Sequence, residues 1–247
     1  MDRAVLFGAL LCVAAAMTAG TVRAEPLTRE QVVERLRAGE TDLRSLEARS
    51  VDLSRLDFRG ADLFGAKLSG ADLTLSNLRG CNLDIAIMNE AKLPGADLRD
   101  ASLFGTQLVR ADLRKANLRG ARLMGNLEGA KLDGANLAEV RGGADMRNQP
   151  MGLIRAILKR ASLQSARLNG ADLSRADLSF ADLRNADLSG TNLTHAVLVG
   201  ADLRGATLDG AVLEAADVAQ ANFKGAKGMD RVRGLDAALG RESAIFE

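Results

Sequence analysis

The sequence predicts an all-β solenoid, a chain wound into a four-sided coil with aliphatic side chains along its axis. Three observations predict it. A leucine-centred unit recurs every five residues, and Ala-Asp-Leu occurs four times within GADLSRADLSFADLRNADLSG, residues 170–190. A weaker pattern recurs at every fourth unit. Trp and Tyr are absent and only seven Phe are present among 247 residues, so Leu and Ala must fill a narrow, regular interior.

The period excludes the two common alternatives. A helix advances 100° per residue, so a five-residue repeat scatters leucines around its surface. A flat strand alternates faces, so an odd repeat sends successive leucines to opposite sides. A chain that turns a corner every five residues points every leucine at one axis, and four such sides close one coil.

Taken in order, the chain opens with what reads as an export signal. Arg3 precedes the apolar run Ala4 to Met17, which is too short to span a bilayer comfortably, and Val22-Arg23-Ala24 offers a small-residue cleavage site. Residues 1–24 are therefore expected to be a signal peptide cleaved after Ala24, which places the protein in the periplasm or outside the cell with no membrane span. Retention as an uncleaved anchor is the alternative that the segment leaves open. Cleavage would leave 31 basic and 31 acidic residues. That balance disfavours nucleic-acid binding. One cysteine, Cys81, would remain, so no intramolecular disulfide is expected.

Residues 25–47 read as a capping helix and lead-in. Thr28 and Gln31 form a capping-box pattern, Val32, Val33 and Leu36 share one face, and Gly39 stops the helix. The first repeat block is placed at 48–137. From Leu53 to Leu123 it has 15 centres in register, 13 of them Leu, with Phe58 and Met88. Leu127, Leu132 and Leu137 continue it after a one-residue slip. Residues 138–160 break the register. Pro150 and the apolar set Leu153, Ile154, Ile157 and Leu158 predict a loop and a short amphipathic helix over about 151–160, with those four residues as candidate loop contacts. The second block is placed at 161–227, with 13 centres from Leu163 to Phe223 and Ala two residues before 12 of them. Residues 228–247 lose the period and are expected to form a C-terminal cap or tail, with a short helix turning Leu235, Ala238 and Leu239 inward.

Within a unit, Gly at positions such as 60, 65, 70 and 200 marks corners that need positive φ. Asp or Asn before the centre is placed outward, where its side chain bonds nearby backbone. Arg59, Arg79, Arg99 and Arg119 form a ladder that recurs at every fourth unit, as do Gln164, Arg184, Arg204 and Lys224. Aligning the two ladders implies that about six residues bulge from the coil between them. Acidic Asp57, Asp97 and Asp100 share the first ladder's face and neutralise most of it.

The Ala-(Asp/Asn)-Leu-x-x units over roughly 48–227 resemble the pentapeptide-repeat family. The resemblance implies a right-handed quadrilateral β-helix. Some members of the quinolone-resistance group in that family bind DNA gyrase by imitating duplex DNA.

No catalytic constellation is legible, and no cofactor or metal is expected. His195 is the only histidine and falls at a corner. Cys81 stands at an inward Ala position and reads as a small core residue. No zinc or calcium pattern is present. The candidate partner surface is a column of apolar residues, Phe64, Phe104 and Met124, with Asp84 between the phenylalanines and Ile85 beside them. Phe180, Val197, Val199 and Val212 are further outward apolar positions. The leading expectation is a non-enzymatic exported scaffold that binds another protein, or itself, through an outer face. A DNA-mimic inhibitor of a topoisomerase and a surface ligand carrier are the alternatives. The mature chain's balanced charge and its export signal both count against the DNA mimic.

Overall fold

The computed structural model describes residues 26–144 and 154–247. The expected export signal, residues 1–24, and Leu153 lie outside the described residues.

Each side of the coil contributes one residue that bridges, in parallel, to its equivalent one coil further on. Asp42 pairs with Asp62, Glu47 with Lys67, Asp52 with Asp72 and Asp57 with Asn77; these define sides 1 to 4. The pairs are isolated bridges, and among the described residues no side extends into a continuous strand. Side 1 stacks ten layers deep, from Asp42 to Arg233. At about 4.8 Å per layer the stack is roughly 43 Å long. The coil begins at Asp42 rather than at 48, with Leu43 as its first buried centre.

The bridging residue spends both backbone groups between coils. The Asp62 N–H donates to Thr41 O at 2.7 Å, and Asp62 O accepts from Leu43 N–H at 2.8 Å. The corner closes on itself, as where Ala61 N–H donates to Phe58 O at 2.8 Å. The Asp or Asn side chain secures the same corner: Asp52 Oδ1 accepts from Ser54 N–H at 2.9 Å, and Asp187 Oδ1 from Ser189 N–H at 3.0 Å. That bond explains why short acceptors recur before the leucine. Positive φ holds at the corner whether Gly occupies it, as at Gly60 (φ 71°), or a larger residue does, as at Arg55 (φ 60°).

The leucine centres and the small residue two positions before each are buried throughout. Where a polar residue replaces that inward Ala, its side chain donates to a carbonyl. Ser76 Oγ bonds Leu73 O at 2.7 Å, Thr106 Oγ1 bonds Leu83 O at 2.8 Å and Thr191 Oγ1 bonds Leu168 O at 2.8 Å. Cys81 is buried in the same place, 2.9 Å from Phe58 O, and burial pushes its thiol up to about 12.

Helix α1 spans Arg29–Arg37, with both halves of the Thr28/Gln31 capping box formed. Val32 is buried in the core, and Leu27, Leu36, Val51 and Leu56 pack against it. The Arg29 guanidinium donates to Asp52 O at 2.7 Å and Ser54 O at 3.0 Å, satisfying carbonyls of the first coil.

Two register breaks lie on the corner between sides 1 and 2, one coil apart. Gln107 pairs with Asn126, one residue short of a full coil, because the unit at Ala121–Met124 has lost a residue. Gly125 fills the inward Ala position there, and a Cβ on it would lie 2.5 Å from Thr106 O. One coil later Asn126 pairs with Ile157, so the insertion beyond a regular coil is eleven residues rather than about six. The insertion leaves after Gly142 and rejoins at Ala156, whose N–H donates to Gly142 O at 3.0 Å.

The expected helix over 151–160 does not form in its described part. Ala156 and Leu158 are buried as an ordinary inward pair and Ile157 is a bridging residue, because the repeat resumes one unit before Ala161 and Leu163. The eleven-residue insertion also separates the ladders. Gln164, Arg184, Arg204 and Lys224 follow side 3, below Arg114, whereas Arg59, Arg79, Arg99 and Arg119 follow side 4.

The C-terminal residues keep winding. Units of six replace units of five, so the pairs Val212–Arg233, Asp217–Leu239 and Asn222–Ile245 each reach one residue further than the pair before. In place of one helix there are three 3₁₀ turns, Met229–Arg231, Leu235–Ala237 and Arg241–Ser243, each following a positive-φ glycine at the leucine position. Leu235 and Ala238 pack against the core. Leu239 does not: it is a bridging residue and 60% exposed. Phe246 stacks on Phe223 with ring centroids 5.3 Å apart.

Candidate functional site

Among the described residues, the corner between sides 1 and 2 carries the largest set of apolar side chains that the fold leaves outside. Phe64, Asp84, Phe104 and Met124 stack along it: Gly65 N–H donates to Asp84 O, Ile85 N–H to Phe104 O, and Gly105 N–H to Met124 O at 2.7 Å. Phe64 is 41% exposed and Ile85 47%. Phe104 is half-buried, with the Arg122 guanidinium 4.3 Å from its ring centroid. Met124 leaves the surface altogether. It is only 4% exposed, because the shortened unit draws it inward. Ile87, a bridging residue of the same coil as Ile85, adds an exposed side chain that the column pattern overlooked.

Ile85 also has φ of 52°. Left-handed backbone is costly for a β-branched residue, and Gly occupies most neighbouring corners. Its side chain leans on the next coil, where a Cβ on Gly105 would lie 3.1 Å from Ile85 Cγ2. Leu75 (48% exposed, φ 57°) and Phe180 (51%, φ 57°) repeat the arrangement on other corners. Leu75 stood in plain view in the sequence, two residues after a centre, where glycine or a polar residue is the rule.

The first ladder is paired with acids. Arg59 meets Asp57 at 2.8 Å, Arg79 meets Asp100 at 3.6 Å, Arg99 meets Asp97 at 2.6 Å and Arg119 meets Glu139 at 2.9 Å. The hydrogen bond from Arg99 holds the Asp97 carboxyl below the usual carboxylate range. Arg184 and Arg204 do the same for Asp182 and Asp202. Of the predicted loop contacts, Ile154 is half-buried just before the coil resumes, Ile157 is half-buried on side 2 and Leu158 is in the core. His195 is exposed at its corner. Among the described residues no three His, Cys, Asp or Glu side chains gather to hold a metal, and no helix is long and apolar enough to cross a membrane.

The family model described as "Pentapeptide repeats (8 copies)" matches residues 41–80, 81–120, 156–194 and 186–225. The chain belongs to the pentapeptide-repeat family. Among solved structures it is similar to HetL, a pentapeptide-repeat protein involved in heterocyst differentiation regulation in the cyanobacterium Nostoc sp. Identity is 31%, over 89% of this chain and 94% of that one, with a TM-score of 0.34. Rfr23 from the cyanobacterium Cyanothece matches at 29% identity over 49% and 63% of the two chains, with a TM-score of 0.30. QnrB1, a plasmid-mediated fluoroquinolone resistance protein, matches at 20% identity over 76% and 82%, with a TM-score of 0.34. No curated protein matches the chain. The family match falls short of residues 121–155, where this pentapeptide-repeat chain carries the two register breaks on the corner between sides 1 and 2.

Proposed function

We propose that this pentapeptide-repeat chain is a non-enzymatic, exported scaffold that binds another protein, or a second copy of itself, through the corner bearing Phe64, Ile85, Ile87 and Phe104. One observation carries the reading. Ile85 is held at positive φ with its side chain almost half exposed, at a corner where glycine would relieve the backbone. A strained residue that also exposes apolar surface is unfavourable twice over for the isolated fold, which fits retention for contact.

The scaffold is taken as a right-handed quadrilateral β-helix with α1 as its N-terminal cap. The Arg29 bonds to Asp52 O and Ser54 O support that role for the helix. Export rests on the sequence of residues 1–24. The DNA-mimic reading is less well supported, since a mimic needs a dense line of unpaired negative charge and the acids facing Arg59, Arg99 and Arg119 are paired.

The test is Ile85→Gly, alone and with Phe64→Ser. Ile85→Gly should raise the thermal midpoint by a few degrees, corresponding to about 1 kcal/mol of relieved backbone. The double variant should lose the complex that crosslinking and light scattering detect with the parent protein. An unchanged complex profile for the double variant would remove this corner from the function.

A further inference from the structure

The corner between sides 3 and 4 lies diagonally across the coil from the one just described and has a different character. Leu75 projects there with φ of 57°, and its Cδ2 overhangs Gly95, where a Cβ would sit only 2.8 Å away. Together with Thr74, Pro94, Arg114 and Lys115 these residues line an open groove of about 350 Å³. Glycine is required at 95 for the leucine to lie flat, and Pro94 adds a rigid wall.

Charge distinguishes this groove. Arg55 stands one coil before Leu75 in the same corner column, and Lys115 two coils after it; Lys92 lies on the adjoining side. None of the three forms an ion pair with a described residue, and neither does Lys131 below them. Arg114 is held by Asp112 at 2.6 Å and Asp97 by Arg99. Asp72 and Asp133 make no direct ion pair with a described residue; both accept backbone N–H bonds, and Asp133 lies within electrostatic reach of Arg114. Arg55, Lys92 and Lys115, none of them in an ion pair, thus lie around an apolar floor, with Asp72 the nearby carboxylate that has no cation partner. The four arginines of the first ladder, on the adjoining side, are each paired with an acid, which these cations are not.

We propose that the Leu75–Pro94–Lys115 groove binds an extended acidic segment of another protein, seating one of its large apolar side chains on Leu75, Pro94 and Gly95 and its flanking carboxylates on Arg55 and Lys115. The spacing suits an extended chain. Lys115 lies two layers from Leu75, about 10 Å, which three residues of extended peptide span. The apolar anchor supplies desolvated contact and the cations supply orientation and encounter rate. The site does not depend on the Phe64 corner.

Fluorescence anisotropy with a labelled Glu-Glu-Ser-Phe-Ser-Glu-Glu peptide tests this. The expected result is saturable binding that weakens about tenfold with Lys115→Glu or Leu75→Ser and falls as salt is raised. Replacing the peptide's Phe by Ser should abolish it, and a Lys-Lys-Ser-Phe-Ser-Lys-Lys peptide should not bind. Ile85→Gly should leave it unchanged, which separates this site from the other corner. Leu75→Gly removes the side chain while easing the backbone, so loss of binding in that variant cannot be ascribed to unfolding. Absence of saturable binding, equal binding of the lysine peptide, or indifference to both Leu75 substitutions would overturn the proposal.

Discussion

The interior coils and the last coil solve one problem differently. An interior coil spends five residues per side and fills its axis with Leu, as Leu178 does between neighbouring coils above and below. The last coil has no successor. It spends six residues per side and replaces three leucines by Gly228, Gly234 and Gly240. Its backbone presses onto the preceding coil so closely that a Cβ on Gly234 would lie 2.7 Å from backbone atoms of Glu214. The 3₁₀ turns then bring Met229 and Leu235 against the exposed end of the core. Bridging continues regardless: Arg233, Leu239 and Ile245 keep their pairs although the count between them changes. The backbone ladder is therefore the invariant, and the number of residues per side is adjustable.

Substitutions can break this contrast in order of size. Leu178→Asp should cost most, because it buries a charge with no partner; the expected outcome is failure to give a cooperative thermal transition. Leu178→Ala should cost about 2–5 kcal/mol, read from denaturant midpoints. Gly234→Ala should cost about 1–3 kcal/mol. Coils contact only their neighbours, so the loss should appear as faster hydrogen exchange over residues 228–247 with the middle of the stack unchanged. Uniform acceleration along the chain would show that the last coil is not a separable layer. Asp177→Ser should be smallest, a few tenths of a kcal/mol, since Asp177 Oδ1 accepts only local bonds, from the Ser179 N–H and hydroxyl.

Acid sharpens the contrast further. The carboxyls of Asp112, Asp182 and Asp202 are held low, first by hydrogen bonds from Arg114, Arg184 and Arg204. A depressed folded-state value gives stability that is present above the unfolded value, about 3.9, and is lost as pH falls through the folded one. The thermal midpoint should therefore hold from neutrality to about pH 4.5 and decline below about pH 4. Asp182→Asn with Asp202→Asn should make that decline shallower. A slope identical to the parent's would show that these pairs carry no linkage.

The pentad was legible because each unit must meet the same core requirement, so the signal repeats in every few residues. The breaks were not, and the reasons are local. Met124 occupies an outward place by counting, and only the loss of one residue, with Gly125 taking the inward Ala position, turns it in. Ile154, Ile157 and Leu158 suit a helix by spacing. Yet Ala156-x-Leu158 also stands five residues before Ala161-x-Leu163, and the ladder wins because Ile157 can pair on both sides. Gly228, Gly234 and Gly240 are spaced six apart, a visible pattern, but glycine in a leucine's place conceals that the coil goes on. At the candidate corner, Phe64 and Ile85 followed from counting alone, whereas the strain at Ile85 is a dihedral angle that no composition displays.

Core and surface keep different clocks. The interior accepts any whole number of pentads, while a given corner returns only every fourth. Duplicating or deleting one pentad upstream would leave the packing intact and swing every downstream corner by a quarter turn about the axis. The two cationic ladders on adjoining sides illustrate this phase freedom: a lineage can re-aim half of such a rod without redesigning any of its interior.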